Sequence, residues 1–159
     1  MATPQTPPLI RYYSGWKHYH QLLRDHVAAR SAEELRFQAA PALRPAWLLV
    51  THIISVRAGW LHDTLGESDA SFGALHEWQR DKVTQRSSAE LLEGLDRTWA
   101  VLETCLTRWT EADLDATFDD DGETVTRGWV VWHVLEHDLH HGGEYFFTMG
   151  MQGIEGPDL

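Results

Sequence analysis

The chain has 159 residues, enough for one domain with a self-sufficient core; 43% hydrophobic and 23% charged residues mark an ordinary globular protein. Thirteen Lys and Arg against 24 Asp and Glu give a formal charge of -11. That field repels phosphate backbones and anionic lipid, so neither a nucleic acid nor a membrane is expected as partner.

Cys105 is the single cysteine, which excludes an intrachain disulfide and points to a buried structural thiol. The first residues lack the basic-then-apolar order of a signal peptide, and no apolar run reaches the roughly 18 residues of a membrane span. A cytoplasmic protein is expected. Eight Trp and ten His are the conspicuous enrichments.

Residues 1–8, with Pro4, Pro7 and Pro8, read as an extended arm on a single domain spanning 1–159. A first helix is expected from Leu9 to Arg30, with an inward seam of Tyr13, Trp16, His20, Leu23 and Val27. His18 and His26 fall off that seam and should be solvated. Ser31 and Glu34 have the spacing of a capping box, and the prolines at 41 and 45 break any longer helix. Pro45 suits the first turn of a second helix, about 45–65, which carries His52 at the edge of a wide apolar face and closes at Gly66.

Residues 67–86 are polar and too many for a tight hairpin, which predicts a crossover connection. Ser87 and Glu90 form a second capping box. The helix after it has an apolar seam of Leu92, Leu95, Trp99, Leu102, Leu106 and Trp109, so it reads as a wall or interface rather than a source of ligands. Asp121-Gly122 between short β-prone flanks predicts a small hairpin over 117–126. The run Asp119 to Asp121 lacks the twelve-residue calcium pattern and reads as a solvated turn.

The last helix, from about Gly128 to Gly150, has a seam of Val130, Val134, His137, His141, Glu144 and Thr148. It starts apolar and becomes imidazole, imidazole and carboxylate. Unpartnered burial costs such groups about 1–3 kcal/mol each, so partners are required. His137 and His141, one turn apart, aim at one point as a divalent ion needs; a pair of core histidines bonded to carboxylates is the alternative. With His52 they make a three-imidazole ligand set suited to Zn, Ni, Cu or Fe, with a coordination position left open. His133 and His140 lie off the seam. Glu144 and Glu136 are candidates to orient the ligand rings.

The run from His133 through His137, His140 and His141 to Glu144 resembles the C-terminal signature of the DinB/YfiT-like superfamily, and His52 within Val50-Thr51-His52 falls where that family carries its first histidine. Trp16 and the hairpin before the last helix fit as well. The resemblance implies a DinB-like all-α four-helix bundle in up-down-down-up order. It also implies a divalent metal, often Zn or Ni, on His52, His137 and His141, and frequently a homodimer. Gly142 and Glu144 stand where the signature usually has Arg and Gln.

Because the superfamily includes thiol transferases and isomerases using bacillithiol, mycothiol or related low-molecular-weight thiols, the resemblance implies metal-assisted S-transfer to an electrophilic small molecule. His20 is then a candidate proton donor or cosubstrate contact, with core packing the alternative. A metal-dependent hydrolase with Glu144 as general base is a second expectation. A metal-binding stress-response protein without turnover is a third.

Overall fold

A computed structural model describes residues 6–158 of the chain. Four long helices carry the fold: α1 (Ser14–Ala28), α3 (Ala46–Gly59), α5 (Ser88–Arg108) and α6 (Arg127–Gly150). Two short helices, α2 (Ala32–Arg36) and α4 (Ala70–Gly73), and a hairpin of β1 (Thr117–Asp120) and β2 (Glu123–Thr126) connect them. Most of the expected arm lies outside the described residues; Pro8 is extended, with φ -67° and ψ 151°.

Local signals set the helix ends. Both capping boxes form: Ser31 and Ser87 accept from the backbone N–H of Glu34 and Glu90, whose carboxylates accept from the serine N–H in return. The expected helix over 9–30 is interrupted near its start. Leu9–Arg11 is a separate 3₁₀ turn, tied by the Leu9 N–H to the Trp109 carbonyl at 2.8 Å, and α1 begins only at Ser14. Pro45 stands just outside α3 as its N-cap, and α3 runs on through a π-type turn, Trp60–Thr64, that ends at Gly66 with φ +67°. Thr126 caps α6 by accepting from the Trp129 N–H, so α6 starts one residue earlier than expected.

Side-chain contacts give the directions. Along α1, Trp16, Tyr19 and His26 meet Asp138, Leu139 and Tyr145 in rising order, so α1 and α6 are parallel. Lys17, His20 and Arg24 meet Glu103, Trp99 and Asp96, so α1 and α5 are antiparallel. His52 and Trp60 meet His137 and Trp129, which makes α3 antiparallel to α6. The order is therefore up-down-down-up. Parallel α3 and α5 need a crossover, supplied by residues 65–87 through α4 and a 3₁₀ turn at His76–Arg80.

The core follows the expected seams, with two shifts. Leu91 rather than Leu92 opens the buried face of α5, and Trp99 and Trp109 are both buried, which removes them as interface candidates. His26 is half-buried rather than solvated, because Nδ1 meets the Tyr145 hydroxyl at 3.0 Å and Nε2 the Glu155 carbonyl at 3.2 Å. The hairpin turns on Asp121 and Gly122, both at positive φ (50° and 90°), as a two-residue turn between twisted strands requires.

Gly142 explains one departure from the family signature. A Cβ there would lie 2.1 Å from the Tyr19 hydroxyl, and Tyr19 is buried with that hydroxyl directed at the Leu139 carbonyl. An arginine at 142 has no room. Gly143, beside it, faces open space. Gly143→Ala should therefore raise stability by up to about 1 kcal/mol, the helix preference of Ala over Gly. Gly142→Ala should lower it despite the same preference. Denaturant unfolding of the two variants checks the contrast.

Candidate metal centre

The centre is built where α3 crosses α6. His52 comes from α3, and His137 and His141 come from successive turns of α6, so all three rings project into the space between the two helices. One ring nitrogen from each lies within 4.8 Å of the others, a group that can hold a metal ion. Ring centroids are 4.7 Å apart for His52–His137, 4.7 Å for His52–His141 and 4.3 Å for His137–His141.

The donor set fits a divalent ion. Nε2 of His52 and Nε2 of His137 face each other at 3.1 Å. A tetrahedral ion with metal–nitrogen bonds of about 2.0–2.1 Å holds its nitrogens roughly 3.3 Å apart. The other nitrogen of His137, Nδ1, is buried and has no hydrogen-bond partner among the described residues. Such an orphan costs about 1–3 kcal/mol, and it lies on the side of the ring away from His52.

Electrostatics hold the imidazoles neutral. Burial, then the charges of Arg44 and His141, pushes the His52 pKa down to about 4. Burial and the neighbouring rings push His137 down to about 2. Burial lowers His141 too, opposed by the Glu144 carboxylate. Neutral rings keep the lone pairs that bind metals.

Glu144 accepts from Nδ1 of His141 at 2.6 Å, which directs the free lone pair of that ring to Nε2. Glu136 does not reach a member of the triad; its carboxylate lies 3.9 Å from His133. His133 itself stacks on Trp129, with centroids 4.8 Å apart and planes 8° off parallel. His140 is exposed, with Nε2 3.7 Å from Glu144. It forms with His141 and Glu144 a second group of suitable spacing that shares His141 with the first.

His20 is not brought to this cluster. It is buried, stacked on Trp99 at 4.7 Å, with Nδ1 3.3 Å from the Arg57 guanidinium. Burial and the charge of Arg57 push its pKa down to about 2. These contacts, with Trp99 and Arg57, are those of the packing alternative.

Sequence reasoning missed the pair that places the histidines. Arg57 and Asp138 are fully buried, and the guanidinium Nη2 donates to Asp138 Oδ2 at 2.7 Å, with Nε donating to both oxygens at 3.0 Å. Trp16 Nε1 donates to the same carboxylate at 2.7 Å, and Arg57 Nη1 reaches Thr98 Oγ1 at 3.4 Å. Four helices meet at one ion pair. Asp138 adjoins His137 and lies one turn from His141, so the pair fixes how α6 is rotated against α3. The available signal was charge on a core stripe: Arg57 and Asp138 both interrupt otherwise apolar positions.

Two cavities, each of about 420 Å³, flank the triad and share Arg44. One is lined by Leu48, His52, Gln79, Arg80 and Lys82, the other by Ala42, Leu43, Leu49, Glu144, Phe147 and Thr148.

Comparison with known proteins identifies the family and the fold. The model of the DinB superfamily matches residues 16–145. The chain belongs to the DinB superfamily. A crystal structure of a DinB-like protein from Bacillus cereus superposes with a TM-score of 0.76 at 16% identity, covering 98% of this chain and 99% of that one. A DinB-like protein from Bacillus subtilis gives 0.61 at 22% identity, covering 88% and 91%. Both likenesses bear on the fold. No functionally curated protein matches the chain. Among the described residues, no helix is long and apolar enough to cross a membrane.

His20 supplies a pH dependence that is separate from the metal. The unfolded chain takes up a proton near pH 6.5, whereas the folded ring resists until about 2. The unfolded state therefore binds more protons below 6.5, and stability falls as pH falls from 6.5 toward 4. One such group gives a slope of about 1 kcal/mol per pH unit. His20→Gln should flatten the pH profile of urea unfolding by about that slope, measured in the presence of a chelator.

Proposed function

We propose that this chain is a cytoplasmic, metal-dependent S-transferase, joining a low-molecular-weight thiol of the bacillithiol type to an electrophilic small molecule. The observation that carries the reading is the convergence of three neutral imidazoles on one point with two cavities opening beside it. His52, His137 and His141 would hold a divalent ion, Zn or Ni, and leave a position for the thiol. A bound ion supplies the positive charge that lowers the pKa of a coordinated thiol to a thiolate at neutral pH.

The chain's own thiol does not serve. Cys105 is buried, and burial with the Glu67 charge pushes its pKa up to about 12. The nucleophile must arrive as a cosubstrate. In the reaction the sulfur–carbon bond forms as the bond to the leaving group breaks and takes the electron pair, and the thiol proton passes to solvent. Leu43, Leu49 and Phe147 give the second cavity apolar walls fit for a small electrophile.

Glu144 in this reading is a positioning residue. Its 2.6 Å bond to His141 commits one carboxylate oxygen to ring orientation, which weighs against the hydrolase alternative that needs it as a free base. The homodimer implied by the family would cover the apolar side of α6, where Trp129, Trp132, Leu139 and Phe147 are exposed on one stripe.

Reaction of a thiol with a model electrophile, such as a haloarene or an epoxide, is the test. Zn- or Ni-loaded protein should consume the thiol faster than metal-free protein, and Glu144→Gln should slow transfer by about 10- to 100-fold without abolishing thiol binding. If no thiol is consumed faster with the loaded protein, transfer is wrong. Ester hydrolysis lost outright in Glu144→Gln would put the hydrolase in its place.

A further inference from the structure

The cavity on the His52 side is cationic in an acidic protein. Arg44, Arg80 and Lys82 line it together with His52, Leu48 and Gln79. The chain carries only thirteen Lys and Arg against 24 Asp and Glu, so a basic side chain readily finds a carboxylate. Eight of them do: Lys17, Arg24, Arg30, Arg57, Arg80, Arg86, Arg97 and Arg108 each lie within 4.0 Å of an acid.

Five pair with no acid among the described residues: Arg11, Arg36, Arg44, Lys82 and Arg127; Arg36 donates to Gln85 and Arg127 to the Asp113 carbonyl, and Arg44 and Lys82 share one cavity. The third cation there, Arg80, meets only Glu77 of its own turn at 2.8 Å, and both side chains are more than half exposed. Among the described residues, no acidic one lines this cavity. The other cavity contains Glu144, and a third, lined in part by Trp60, also has Asp63, Asp119, Asp120 and Asp121 in its wall. Two cations without an acid, and a third held only by an exposed glutamate, thus meet at one edge of the histidine cluster.

We propose that this cavity binds the anionic end of a small molecule, a carboxylate or phosphate group held by Arg44, Arg80 and Lys82, with the rest of the molecule reaching past His52. The inference rests on the transferase reading for what the molecule is: the thiol cosubstrate would be the anionic partner, and the apolar cavity would take the electrophile. The chemistry is that of a charge-assisted clamp. Arginine presents paired N–H donors to two oxygens, and lysine adds a point charge. Approach is favoured locally even though the net charge of -11 opposes it at long range.

Calorimetric titration of the Zn-loaded full chain with succinate, and separately with inorganic phosphate, tests this. One saturable site per chain is expected for at least one of the two anions, and the tighter of them names the group. The double variant Arg44→Ala/Lys82→Ala should weaken binding about tenfold or more through loss of two charge-assisted contacts. Lys82→Arg should keep it, and Arg24→Ala, outside the cavity, should leave it unchanged. Binding of neither anion, or binding by the double variant equal to that of the parent, overturns the proposal; the second result would place the anion on the metal. A protein that binds succinate or phosphate in this way but transfers no thiol fails the reading above and leaves the cationic cavity standing. One that transfers thiol while these variants bind normally does the reverse.

Discussion

The Arg57–Asp138 ion pair is the interaction on which the arrangement depends. Removing two charges from water costs several kcal/mol per ion, and only close geometry with satisfied hydrogen bonds offsets it. Here the carboxylate accepts from Arg57 and from the Trp16 indole, while the guanidinium also reaches His20 and Thr98. Two buried groups from α1 and one from each of the other three long helices thereby meet at one point. Removing either charge would leave the other uncompensated in the core, a loss of about 3–5 kcal/mol in comparable sites.

That constraint has a consequence for chemistry. A helix packed only by apolar contacts can rotate or slide by a fraction of a residue at small cost. Asp138 removes this freedom from α6 at the level of His137 and His141, and Arg57 does the same for α3 one and a half turns beyond His52. The three imidazoles are then held at 4.3–4.7 Å between centroids. Burial keeps them neutral, and Glu144 sets the orientation of one ring. Preorganisation of this kind is what a metal site needs from its protein.

Much of this was legible in the sequence because it rests on periodicity. The seam of α1, the buried α3, both capping boxes and the Asp121-Gly122 turn all follow from local spacing and composition. The convergence of His137 with His141 is likewise helical arithmetic, and the approach of His52 follows once the helices are paired by their apolar faces. Arg57 and Asp138 were not legible, since a charge on a core stripe reads as an error in the stripe until its partner, 81 positions away, is known. His20 was placed inward correctly. Its partner is Arg57, and no local pattern distinguishes that from a place in the metal cluster. The turn before α1 is equally non-local, since it is tied to the Trp109 carbonyl.

The most direct test is elemental analysis of untagged protein, parent beside His137→Ala, with a chelator wash followed by Zn or Ni repletion. The account predicts one divalent ion per chain in the parent and a large loss in the variant, with the helical content of both preserved. A parent that carries no metal and takes none up would contradict it, and would return the three histidines to the role of core packing.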